Sequence, residues 1–236
     1  MSNQDRPAVY AAATQLTAEL VDAPAWALHE AEQRVSGAIK APGPFAARWS
    51  AALHGAAERV GSAAGRALQV HLLFPSDIAV ATKRELVGAP PHEAAAARDV
   101  PEMPDEALGG VAPTGVASRL RRLSQVAYIL RATAYASGQD DTLWTDAAAC
   151  RRWLHSVPAP GAGAQREALA HLLHPQAFEP IASPTVKARI RRSFAAMVSD
   201  AADDDAALQE IRQALVAEFG ASFRFTDPGV RTRWDP

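Results

Sequence analysis

His71-Leu72-Leu73-Phe74-Pro75, running on to Ala81-Thr82-Lys83-Arg84-Glu85-Leu86-Val87, has a counterpart about a hundred residues later. There, His171-Leu172-Leu173-His174-Pro175 is followed by Phe178-Glu179-Pro180-Ile181 and then Lys187-Ala188-Arg189-Ile190. In both, an apolar helix end is cut by a proline, a short turn follows, and a basic amphipathic helix begins. Proline ends a helix because it lacks the N–H and clashes with the preceding turn, and it restricts the residue before it. Two such helix–turn–helix corners predict an all-α or mostly α chain. The expectation is that Leu72, Leu73, Phe74, Leu172, Leu173, Phe178, Ile181, Ile190 and Phe194 converge on one shared core. Lys83, Arg84, Lys187 and Arg191 should then stay in solvent.

Outward from the corners the same reading holds. The chain has 236 residues, 48% of them apolar but only 6% aromatic, and alanine dominates. Alanine is the best helix former, and β-branched runs are scarce. Seventeen prolines and fourteen glycines supply the breaks. Residues 1–40 read as an N-terminal helical segment and 41–236 as the main helical domain, long enough to bury a core. Ala41-Pro42-Gly43-Pro44 separates them. Gly55, Gly61 and Gly65 each weaken the next helical stretch, so a break or a close contact is expected at one of them. Residues 88–117, rich in proline and glycine, form the longest loop, and a loop of that length is functional or mobile. Pro158–Gly163, within 158–164, is the most linker-like stretch. Thr145 or Asp146 can cap a helix through Leu154. Ser183-Pro184 is a helix start, Asp203-Asp204-Asp205 places negative charge at another, and Gly220 is a C-cap. Phe223-Arg224-Phe225 reads as one short strand.

The net charge of −2 is not the global footprint of a nucleic-acid binder. The single cysteine, Cys150, excludes an internal disulfide and a multi-cysteine zinc site. It fits a reducing compartment. No apolar run approaches a membrane span, and Met1–Pro7 is polar with no signal-peptide core behind it, so the expected location is the cytoplasm. The chain stops at Asp235-Pro236 without a terminal element, as expected of a piece of a longer protein.

Chemistry is sparse. There is no G-x-x-x-x-G-K-[ST] loop, no G-x-G-x-x-G, no H-E-x-x-H and no G-x-S-x-G. Gly109-Gly110-Val111-Ala112-Pro113-Thr114-Gly115 invites a phosphate reading but lacks the following Lys and Ser/Thr. His171 and His174, at i, i+3, share a helix face without an acidic or cysteine partner. With His71 they read as helix-end histidines bonded to terminal carbonyls. Cys150 beside Arg151 and Arg152 is either an idle buried thiol or an activated one. No catalytic, metal or cofactor-binding residue is assigned. Two basic clusters are sharper: Arg119, Arg121 and Arg122, and Lys187, Arg189, Arg191 and Arg192. Of these, Arg119, Arg121, Arg122, Lys187, Arg191 and Arg192 are the candidate phosphate contacts. No interleaved aromatics point to base stacking, and Trp26, Trp49, Trp144, Trp153 and Trp234 read as core or interface anchors.

Several stretches, in this order, resemble the region that precedes the motor domain in McrB-like AAA+ proteins. They are Leu72-Leu73-Phe74-Pro75 with Thr82–Val87, then Gly110–Gly115, then Arg166 with Leu169–Pro175, then Phe178–Ser183. Lys187, Ile190, Phe194, Ile211-Arg212 and Val230-Arg231-Thr232-Arg233-Trp234 complete the series, which covers roughly residues 60–236. That family is associated with modified-cytosine restriction and antiviral defence. The resemblance implies a non-catalytic recognition, regulatory or assembly module. Its nucleotide-hydrolysing AAA+ motor would lie beyond residue 236 or in a partner subunit, with a nuclease as a further partner. It carries over no catalytic residue. Three other readings stand beside it: a DNA-binding module using the arginine and lysine faces, a stand-alone helical interaction protein, and an enzyme centred on Cys150 or on His171 and His174.

Overall fold

A computed structural model describes residues 6–88, 103–137 and 142–235, and every regular element among them is a helix. In chain order they are α1 (Pro7–Val21), α2 (Ala25–Gly37), α3 (Phe45–Leu53), α4 (Glu58–Leu73), α5 (Val80–Gly88), α6 (Asp105–Leu108) and α7 (Gly115–Leu120). They continue with α8 (Arg122–Ala136), α9 (Thr142–Thr145), α10 (Ala147–Ser156), α11 (Gly163–Leu173), α12 (Pro184–Ser193), a 3-10 turn (Ala195–Met197), α13 (Asp204–Phe219) and α14 (Pro228–Arg231). The mostly α reading is therefore correct. The short strand expected at Phe223–Phe225 is not: these residues lie in a turn, with both phenylalanines buried and stacked edge-on. The backbone groups here are used in local turns rather than a ladder: Phe223 N–H donates to Gly220 O at 3.4 Å and Asp227 N–H to Arg224 O at 2.9 Å.

The punctuation acts where the sequence places it. Ser183 accepts from the N–H of Val186, with Pro184 at the first helical position. Asp203 accepts from the N–H groups of Asp205 and Ala206, both at 3.0 Å, and Asp146 from that of Ala148 at 2.8 Å. These bonds satisfy donors that a helix start would otherwise leave open. Gly220, at φ +78°, ends α13. Gly61 and Gly65 sit inside an unbroken α4, and the break comes earlier, at Gly55 with φ +65°.

α4 is the central helix. From Val60 to Leu73 nearly every residue is buried, because α1, α2 and α8 pack around it. The first forty residues belong to this core through Leu16, Leu20, Leu28 and Val35. Pro158–Gly163 is a short turn tied to the same cluster by the buried Val157 just before it and Ala162 within it.

The single shared core predicted from the two corners is replaced by two clusters. Leu72, Leu73, Phe74, Leu172, Leu173 and Phe178 pack in the large one. Ile181, Ile190 and Phe194 join Leu208, Ile211, Leu215, Phe223, Phe225, Val230 and Trp234 in a second. The division falls inside the second corner. Its turn sends Phe178 back toward α11 and Ile181 out toward α12 and α13. The loop predicted at 88–117 divides likewise: 89–102 lies outside the described residues, while 103–117 is packed on the first corner as α6, a turn and the start of α7.

Candidate functional site

The first corner is where Gly110–Gly115 meets Phe74–Asp77. Phe74 O accepts from the N–H groups of Val111 at 2.7 Å and Ala112 at 3.1 Å, and Ser76 N–H donates to Ala112 O at 2.9 Å. Gly110, at φ +72°, lets the two backbones touch. A Cβ there would lie 2.2 Å from Pro75 O, so only glycine fits. Lys83 is fully buried, and its ammonium donates to Pro75 O at 2.5 Å and Leu108 O at 2.7 Å. It therefore staples both strands of the joint rather than facing solvent as the sequence predicts. Burial lowers its pKa to about 8, against the attraction of Asp77.

Asp77 completes the joint and starts α7. One carboxylate oxygen accepts from Thr114 N–H at 3.0 Å, the other from Gly115 N–H at 2.8 Å. Burial alone would raise its pKa; these backbone donors outweigh it and hold the carboxyl below its usual range. The phosphate reading of the glycine-rich stretch has its answer here. Two of the amides that would cradle an anion already hold one of the chain's own carboxylates. Ser118 and Gln125 then clamp α7 to α8: Gln125 Nε2 donates to Ser118 O at 2.9 Å and Ser118 Oγ donates to Gln125 Oε1 at 3.1 Å. A six-residue helix is marginal on its own, so these anchors are what fix it.

What α7 presents is apolar and basic. Val116 is 60% exposed and Leu120 75% exposed. Arg119 and Arg121 are exposed, and Arg119 donates to a backbone oxygen, Asp77 O, at 3.1 Å. Arg122 is buried and lies over the Phe45 ring at 4.8 Å. Burial, then the charge of Arg119, lowers its pKa.

The second corner is a set of buried polar joints. His171 Nδ1 bonds Phe178 O at 2.6 Å, and Tyr10 OH bonds its Nε2 at 3.1 Å. His71 Nδ1 bonds Gln165 Oε1 at 2.7 Å. Burial lowers both imidazoles to about 4, so both are neutral at neutral pH. His174 bonds Leu143 O at 3.0 Å. His171 and His174 thus bond backbone carbonyls, but those of the following turn and of α9 rather than of the last turn of α11, while His71 pairs with a side chain.

Lys187, 1% exposed, lies 2.5 Å from Glu167 and 2.7 Å from Asp205. Arg151 pairs with Asp203 at 3.0 Å and with Asp205, and Arg166 with Glu167 at 3.3 Å. Burial would raise the pKa of Glu167, but the Lys187 charge overrides it and holds the carboxyl below its usual range. Arg212 forks onto Glu179, donates to Phe223 O at 3.0 Å, and stacks 4.4 Å from the Phe223 ring. These ions link the two hydrophobic clusters, joining α10 and α11 to α12 and α13.

The candidate phosphate contacts are therefore split. Lys187 and Arg122 are withdrawn from solvent, the first into a carboxylate pair and the second under an aromatic ring. Arg191 binds Asp204 at 3.2 Å and Ala201 O at 3.3 Å. Arg119, Arg121 and Arg192 are exposed. Cys150 is buried, and burial, followed by Asp146, pushes its thiol up to about 12; Arg151 points to carboxylates instead. Trp49, Trp153 and Trp234 are core anchors, as expected, whereas Trp26 is 53% exposed. Sequence reading misses Asp77, Glu167 and Asp205, which are ordinary surface residue types until folding buries their partners. It also misses Val116, which falls in the predicted 88–117 loop, and Leu120, which stands with Leu123 and Val126 in a helical apolar pattern but is exposed. Comparison with known protein families, curated proteins and solved structures finds no match.

Proposed function

We propose that this chain is a non-catalytic recognition, regulatory or assembly module that works with a McrB-like AAA+ motor in restriction or antiviral defence, in the cytoplasm. The motor is in the same polypeptide or in a separate subunit, and a nuclease is the further partner. The observation that supports this reading concerns the stretches that carry the resemblance. Their polar residues are used to hold the fold. Lys83, His171, Glu179, Lys187 and Arg212 are each tied to a backbone oxygen or an opposite charge within the chain. Residues committed in this way build a scaffold. Action then belongs to the outer faces, as in a protein that works by contact.

The test is association with the motor. The whole chain, mixed with the AAA+ protein encoded with it, should co-elute in size-exclusion chromatography and alter its nucleotide hydrolysis. Separate elution with unchanged hydrolysis would sink the reading. Direct DNA binding is the weaker alternative, because Lys187 and Arg122 are out of reach of phosphates and net charge is negative.

A further inference from the structure

We propose that α7 is a docking face for an acidic amphipathic helix of a protein partner. Three observations converge. Val116 and Leu120 stand at i, i+4 on one helix face and are among the most exposed large apolar side chains of the described residues. Leaving them in water gives up the stabilisation that burial supplies elsewhere in this alanine-rich core.

Second, α7 is held rigidly in this pose. Asp77 fixes its first turn, Gly110 sets the entering chain on Pro75, and the Ser118–Gln125 clamp fixes its last turn. A preorganised surface binds without the entropic cost of ordering it.

Third, the face carries positive charge with no countercharge among the described residues. No carboxylate of the described residues lies within ion-pair distance of Arg119 or Arg121, the two exposed arginines beside Val116 and Leu120, although most other described arginines have one. An apolar pair rimmed by arginines complements leucines flanked by glutamates. A nucleic acid fits less well. Phosphates gain nothing from Val116 and Leu120, and the face has no exposed ring for base stacking.

The proposal deepens the functional reading, since it names where the module meets a partner. It is tested with a synthetic helical peptide, fluorescently labelled, carrying leucines at i, i+4 and flanking glutamates. Titration with the whole chain should give saturable anisotropy that weakens with salt. Val116→Asp with Leu120→Asp, and separately Arg119→Glu with Arg121→Glu, should each weaken binding about tenfold or more. The Val116/Leu120 variant should keep the wild-type melting temperature, because both side chains are exposed, and the Arg119/Arg121 variant should lose only a little, for the Arg119 bond to Asp77 O. A peptide with lysines in place of glutamates should not bind, and a short DNA duplex should not compete. No binding, binding that both double variants leave unchanged, or displacement by the duplex overturns the proposal. The two readings fail separately: loss of motor association with intact peptide binding removes only the first, and absence of peptide binding removes only the second.

Discussion

Lys187→Met removes the charge at the centre of the joint between the two hydrophobic clusters. The side chain keeps its length and apolar stem, so packing changes little. Glu167 and Asp205 lose the ammonium that neutralises them. Breaking a buried pair from one side typically costs about 3–5 kcal/mol, because the other charge is left uncompensated. The lower end applies here, since Asp205 keeps Arg151 and Glu167 keeps Arg166 at 3.3 Å. A loss of about 3 kcal/mol corresponds to roughly 6–12 °C in melting temperature for a chain of this size. The penalty should also depend on pH. Glu167 has a lowered pKa when folded, so its contribution is present above the unfolded value and is lost as pH falls through the folded one. The variant has no such contribution to lose, and protonation relieves its orphaned carboxylate. Wild type and variant should therefore converge on acidification. Urea titrations at neutral and acidic pH measure both effects. A variant as stable as wild type at pH 7, or a gap that widens in acid, would show that Lys187 does not hold the joint.

Four further outcomes follow from the geometry. Gly110→Ala should lower stability by more than the roughly 1–3 kcal/mol of its backbone conformation, because the new Cβ meets Pro75 O; Gly55→Ala, with open space around it, should cost only about 1–2 kcal/mol in the same thermal melts. Lys83 has a folded pKa near 8, below that of a free lysine, so the unfolded chain binds more protons between the two values and stability should rise with pH above 8; in Lys83→Met that rise should vanish from denaturant titrations across this range. Cys150 should resist iodoacetamide in the native protein at pH 8 and react fully in denaturant, as mass spectrometry will report. Phe178→Ala and Phe194→Ala should each cost about 3–5 kcal/mol and add nearly independently in the double variant, since they sit in different clusters; strong coupling would return the two corners to one core.

Helices and their ends were legible because their causes are local. Pro75, Pro175, Ser183-Pro184, Asp203 and Gly220 act on their own turns of backbone. The partition of the core was not legible. Phe178 and Ile181 are three residues apart and equally apolar, and only the turn between them sends one to each cluster. Lys83 and Lys187 show the same limit with polar residues. Each lies in a basic amphipathic stretch where a lysine reads as solvated. Each is buried because a distant segment brings it partners: Leu108 O for Lys83, and Glu167 and Asp205 for Lys187. Periodicity tells which side of a helix is apolar, not whether a second element will supply a carboxylate opposite a lysine.

The same misreading, in reverse, is what makes α7 informative. Val116 and Leu120 are apolar, stand at i, i+4 and are exposed; Lys83 and Lys187 read as solvated and are buried. In both places local preference loses to tertiary arrangement, but with different consequences for the chain. A buried lysine with its partners present is a solved problem, closed within the molecule. An exposed valine and leucine held on an anchored short helix, beside arginines with no carboxylate of the described residues in reach, is an open one. Nothing in the described fold needs Val116 and Leu120 to be apolar, since alanine or glutamate there would keep the Asp77 bonds, the Gly110 turn and the Ser118–Gln125 clamp. The fold needs α7 to be fixed, and it fixes it through residues other than these two. The apolar character of this face is therefore left over by the fold, and the acidic amphipathic helix proposed above is what would use it.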